Sequence, residues 1–258
     1  LLLSYFIFVC ACFLHVERKS YLNKTIFYLN LLFLIITNLL VYFYKLYIES
    51  NNLTIISSLS LIIFLTIYFL LCLFTHTFIR LRLVFLPFFL ILYIFFILSN
   101  FYGKTISYEL DLFNNKFLIT HILSSLLAYC ALTISAITSA AVFIQERIIK
   151  KLIYNKYFSS LLPSIYEGEL LTIRFLYFTL LFLTISLISG YYYTVLEYAD
   201  IKLFFNEKSI LSIASIFMIL ILLILRFFFG LSGKVSLKII LLSYFFINFS
   251  YFGIRFIN

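Results

Sequence analysis

The 258-residue sequence has no tryptophan, two prolines, six glycines and only 11% charged residues. A soluble domain carries roughly 25% charged residues, so a chain that is 65% hydrophobic cannot clothe a water-facing surface. That excludes a soluble globular enzyme, a disordered chain and, despite a net charge of +9, a nucleic-acid-binding domain. The scarcity of Pro and Gly excludes collagen-like and linker-rich architectures. What remains is an all-α, polytopic integral membrane helical bundle. Without tryptophan, the interfacial belt that Trp and Tyr usually share falls to the 21 tyrosines. The surplus of Phe, Ile, Tyr, Asn and Lys reads as the mark of an A+T-rich genome rather than of a function.

Cysteine is equally uninformative about chemistry. Cys10, Cys12, Cys72 and Cys130 each lie in an apolar run, with no C-x-x-C and no pair in a polar loop. A disulfide framework, a zinc site and a thiol oxidoreductase are all disfavoured, and packing cysteines are expected. No C-x-x-C-H is present, so the chain is not itself a c-type cytochrome. Paired carboxylates, a nucleophile with its base and a phosphate loop are missing too, so no enzyme activity is expected. The chain begins at Leu1 inside an apolar run, which points to a first span truncated at its start; no small-residue cleavage pattern of a signal peptide follows it.

Breaks at charged and polar clusters leave eight apolar runs, at 1–16, 26–48, 53–74, 83–101, 118–144, 170–196, 209–229 and 237–256. A spanning helix needs about 20 apolar residues, so about eight transmembrane helices are expected, forming one transmembrane domain over 1–258. Lys and Arg set the orientation. Thirteen, including Arg80, Arg82, Arg147, Lys150 and Arg226, fall on one side and six on the other. The richer side is expected to be cytoplasmic, with both termini outside the cytoplasm. The basic balance then reflects topology and anionic lipid, not nucleic acid.

The fifth run carries most of the information. Small residues at Ser124, Ala128, Ala131, Ser135 and Ser139 recur at spacings of three and four, forming one stripe. Such a stripe lets helix backbones approach closely in lipid. His121 lies in line with it, at the outer end of the span, facing the bundle. An ionisable group at that depth is a functional candidate: imidazole ligates iron or another metal, or relays a proton. The plainer alternative is a histidine hydrogen-bonded to a neighbouring helix or headgroup. His15 and His76 read as interfacial.

Here a family resemblance begins. His121-Ile-x-x-Ser-x-Leu-Ala-Tyr129, with its small-residue tail ending in Gln145-Glu146-Arg147, resembles the cytochrome c assembly protein family. These are haem-handling membrane proteins of the CcsA and CcmC type, with the short inner-membrane proteins of the YpjD and HemX kind as the closest branch. Further features follow in order: Leu162-Pro163 before Glu167-Gly168-Glu169; Ser189-Gly190-Tyr191; Asn206-Glu207-Lys208-Ser209; Gly230-x-x-Gly233-Lys234; and Tyr251-Phe252-Gly253-x-Arg255. The resemblance implies haem as cofactor, an inner-membrane location, and partners among other membrane proteins of cytochrome assembly. It places His121 where the family has an external axial ligand to haem iron. The family's tryptophan-rich external segment has no counterpart, and no histidine follows position 121.

Other polar positions have simpler readings beside functional ones. Asn38 and Asn248 lie mid-span, where an amide is expected to pair across helices. Arg255 either snorkels outward or neutralises an anionic group such as a propionate or phosphate. The outer loop 197–208 reads as a solvated face or a lid over a site containing His121. Three functions stay open: haem handling at the outer face, a non-haem scaffold or regulatory subunit docking through the small-residue stripe, and small-solute or ion transport.

Overall fold

The computed structural model describes residues 2–13, 21–48, 52–102, 115–150, 162–198, 207–230 and 233–250. Among these are nine helices and no strand: α1 (Leu2–Cys12), α2 (Tyr21–Ile48), α3 (Asn52–Phe74), α4 (His76–Arg80), α5 (Arg82–Tyr102), α6 (Lys116–Lys150), α7 (Ile165–Tyr198), α8 (Glu207–Phe229) and α9 (Lys234–Asn248). Each apolar run corresponds to a helix, and α4 occupies the link between the third and fourth runs. Five helices, α2, α3, α6, α7 and α8, are long and apolar enough to cross a membrane. The stretches Leu3–Cys12 and Arg82–Leu98 are also apolar, the latter within the 21-residue α5, and α9 spans 15 residues. The protein is therefore an all-α membrane bundle, with five full-length spans among the described residues against the eight expected.

The chain divides into two compact units, Leu1–Tyr108 and Glu109–Asn258. In the first, α2 packs on α1 and α3, and α3 packs on α5. Its core is aromatic. Phe85 stacks on Phe64 and Tyr68, with ring centroids 5.1 and 3.8 Å apart, and Tyr5 stacks on Phe89 and Tyr93 at 5.0 and 4.6 Å. Tyrosine is thus not confined to an interfacial belt: Tyr68 is buried and donates to the Phe78 carbonyl at 3.0 Å.

Three polar expectations change in this unit. Arg82, counted among the charges facing lipid headgroups, is 1% exposed. Its Nε donates to the Cys12 carbonyl at 2.8 Å and its Nη1 to the Ile79 carbonyl at 3.1 Å. These carbonyls end α1 and α4, where helix oxygens lack intrahelical donors and favour a cation. Asn38 donates to the Leu34 carbonyl of its own helix at 2.8 Å instead of bridging to another. Cys10 is exposed, while Cys12, Cys72 and Cys130 are buried and all four are free thiols.

In the second unit α6 is central: 17 of its 35 residues are buried, among them every residue from 128 to 139. Asn115 caps its start, its Oδ1 accepting the Phe117 amide at 3.0 Å. Ser164 begins α7 in the same way, Oγ accepting the Glu167 amide at 3.3 Å, in a Ser-x-x-Glu sequence after the buried Pro163. The principal packing is α6 against α7, with α9 also on α6, and α8 against α7 and α9. The α6–α7 pair is antiparallel. Phe117 stacks on Tyr192 at 5.8 Å, His121 meets Ser186, and Thr138 Oγ1 lies 2.9 Å from Thr172 Oγ1. At the far end Gly168 faces Val142, whose Cγ2 would stand 2.5 Å from any Cβ at position 168.

Candidate functional site

The small-residue stripe is what brings α7 so close. Ser124, Ala128, Ala131, Ser135 and Ser139 are all buried, none more than 6% exposed. Small residues let helices associate through close backbone contact in lipid. The stripe is buried in the chain's own packing, so it presents no surface on which another protein could dock.

At the Lys116 end of this seam, His121 lies against α7, half-buried. Its Nδ1 stands 2.7 Å from the Ser186 backbone carbonyl and 3.1 Å from Ser186 Oγ. A carbonyl oxygen accepts hydrogen bonds and never donates them, so this contact is a hydrogen bond only with the proton on Nδ1. Ser186 Oγ approaches the His121 carbonyl at 3.4 Å, which ties the two backbones together at this point. In neutral imidazole the proton on Nδ1 leaves the Nε2 lone pair available. Among the described residues no hydrogen bond engages Nε2.

Gly190 makes the arrangement possible. It lies one turn beyond Ser186 on the same face of α7, and a Cβ there would stand 2.9 Å from His121 Nδ1 and 3.1 Å from Cε1. The half-exposed Phe117–Tyr192 stack lies one turn from His121 on the side of Lys116. Counted along α6 at 1.5 Å per residue, His121 is about 18 Å from the helix midpoint at Thr133. A hydrocarbon core about 30 Å thick centred there would place the imidazole near its boundary.

The opposite end of the unit gathers other motif residues. Arg226 Nη2 and Glu169 Oε2 form an ion pair at 3.0 Å, and Lys150 and Glu146 one at 3.9 Å. Gly233, with φ +68°, faces the Glu146 carboxylate so closely that a Cβ would collide with it. Gly233 is the N-cap of α9, where the helix dipole favours an anion. Near the middle, Asn248 behaves as expected of a mid-span amide: its Oδ1 accepts a hydrogen bond from Tyr129 at 2.6 Å.

Arg255 and His15 lie outside the described residues, as does 199–206, most of the 197–208 loop expected on the outer side. His76 is exposed at the start of α4. Ser186 carried no signal of its own. Gly190 stood in a motif without a role, although two antiparallel spans joined near residue 155 would set position 121 opposite about 190. No group of three His, Cys, Asp or Glu able to hold a bare metal ion occurs among the described residues.

Fold and site together define a polytopic helical membrane protein with one histidine held at the end of its central helix. The chain matches the Cytochrome C assembly protein family over residues 50–258, and it belongs to that family. A protein of Azospirillum brasilense, described as an uncharacterized 28.8 kDa protein in the nifR3-like 5' region, is 30% identical over 139 residues. The match covers 54% of this chain and 50% of that protein, so the chain spans about half the length of the curated relative it matches. No solved structure matches the chain.

Proposed function

We propose that the chain receives, holds or passes haem at the outer face of the inner membrane during cytochrome c biogenesis, with His121 as an axial ligand to the iron. The observation that carries this reading is the Nδ1 contact with the Ser186 carbonyl at 2.7 Å, which leaves Nε2 as the free donor. Histidines that ligate metals characteristically donate their other ring N–H to a carbonyl or carboxylate, which fixes the ring and raises its basicity. The donor set suits haem better than a bare ion. A porphyrin supplies four nitrogens and asks the protein for one or two axial ligands, whereas a bare zinc ion takes three or four protein side chains.

Under this reading the protein's own residues bind and orient, and no catalytic group is required. The Phe117–Tyr192 pair offers a flat apolar surface beside the imidazole, and Arg255 serves as the cation for a propionate. With the basic residues at the Lys150 end of α6 on the cytoplasmic side, as the charge bias of the sequence predicts, His121 lies at the outer side. Other membrane proteins of cytochrome assembly are the expected partners, delivering or accepting haem.

Protein purified in mild detergent and titrated with haemin should develop a Soret band that falls sharply in His121→Ala. A wild-type protein that stays colourless, or an equal band in both, would overturn the assignment.

A further inference from the structure

We propose that Gly190 and the Ser186 carbonyl are positioning elements that hold His121 in its Nδ1–H tautomer, so that the lone pair sits on Nε2 and points away from α7. The inference rests on the haem reading only for what Nε2 would bind; the tautomer itself follows from the helix pair.

Histidine free in water favours the proton on Nε2, so the opposite tautomer has to be imposed. Two features of α7 impose it. The Ser186 carbonyl, 2.7 Å from Nδ1, is an obligate acceptor and cannot tolerate a bare nitrogen lone pair at that distance. The missing side chain at Gly190 admits the ring to within reach of that carbonyl: a Cβ would stand 2.9 Å from Nδ1, 3.1 Å from Cε1 and 3.6 Å from Cγ. The helices cannot simply part at this point, because α6 and α7 are held on one side of the ring by the 2.9 Å Thr138–Thr172 contact and on the other by the Phe117–Tyr192 stack, so a side chain at 190 has to displace the ring. The Ser186 carbonyl also accepts from Ser189 Oγ at 3.0 Å, which fixes the local geometry of α7 at the seat. A glycine at 190 is thus a determinant of which imidazole nitrogen is available, although it would touch no ligand.

The test uses full-length protein labelled with nitrogen-15 histidine, purified in detergent without haem, at a pH where imidazole is neutral. There are three histidines, and the His121 resonances are those lost in His121→Gln. Wild type should show Nδ1 protonated and Nε2 bare; in Gly190→Ala the ring is displaced and the signal reverts toward Nε2–H. An Nε2–H form in wild type, or an unchanged tautomer in a folded Gly190→Ala, overturns the proposal. Should Gly190→Ala fail to fold, adding His121→Ala should restore folding, since the clash is with the ring; failure to restore it also overturns the proposal.

A parallel haemin titration separates this inference from the function it serves. Haemin binding should weaken about 10- to 100-fold in Gly190→Ala, the usual effect of losing an outer partner of a metal-binding histidine. An Nδ1–H tautomer in a protein that binds no haemin supports the seat and rejects haem. His121-dependent binding through an Nε2–H imidazole rejects the seat and leaves haem standing.

Discussion

Tyr129 of α6 donates a 2.6 Å hydrogen bond to Oδ1 of Asn248 in α9, and Asn248 Nδ2 donates to the Tyr244 carbonyl one turn back in its own helix. Tyr244 stacks on Tyr129, the rings 5.9 Å apart and 15° from parallel. All three side chains are buried. This is how the bundle satisfies a mid-span amide from its own side chains and backbone, and how α9 is fixed to α6.

Tyr129→Phe removes that donor while keeping the ring stack. Interhelical hydrogen bonds in membrane proteins contribute about 0.6–1.7 kcal/mol, so the variant should lose about that much stability. A double-mutant cycle with Asn248→Leu, measured by unfolding in mixed detergent, should give a coupling energy of the same order. Zero coupling would show that the pair does not act together.

Gly168→Ala would place a Cβ 2.5 Å from Val142 Cγ2. Valine in a helix is nearly confined to one rotamer and cannot swing away, so the helices must part. Overpacking of this kind costs about 1–3 kcal/mol. Val142→Ala in the same chain should recover most of the loss, and the thermal midpoints of the two variants decide it.

The Glu169–Arg226 pair, at 3.0 Å with side chains 26% and 11% exposed, is sheltered enough to matter. Removing one partner leaves a half-buried charge without its counter-ion, whereas removing both does not. Glu169→Ala and Arg226→Ala should each destabilise more than half as much as the double variant. Strictly additive losses in chemical unfolding would contradict this.

Arg82→Leu should destabilise the first unit by about 1–3 kcal/mol for each carbonyl left without its donor. Arg82→Lys should recover only part of that loss, because a single ammonium lacks the planar fork that reaches Cys12 and Ile79 together. Accessibility of Cys12 to a membrane-permeant thiol reagent reports the opening: it should rise in Arg82→Leu and rise less in Arg82→Lys.

The class of the protein and the whereabouts of its helices were legible from hydropathy, because crossing a membrane depends on the summed apolarity of contiguous residues. The line of small residues on α6 was legible too, since helical periodicity alone puts Ser124, Ala128, Ala131, Ser135 and Ser139 in one row; that the helix is buried on every side from 128 to 139 was not. The family followed from motif order, and the match over 50–258 established it.

Tertiary structure decided everything that depends on register between helices. His121 and Ser186 are 65 residues apart, and their meeting requires two helices to pack antiparallel with a glycine at the right turn. Arg82, by charge alone a lipid-facing label, became an internal cap because two helix ends converge on it. Asn38 and Asn248, alike as mid-span amides, diverged because Tyr129 stood within reach of one, while the other bonds its own helix. Apolarity is a local sum and can be read along the chain. A partner is a matter of ångströms between distant positions, and only the packed helices set those distances.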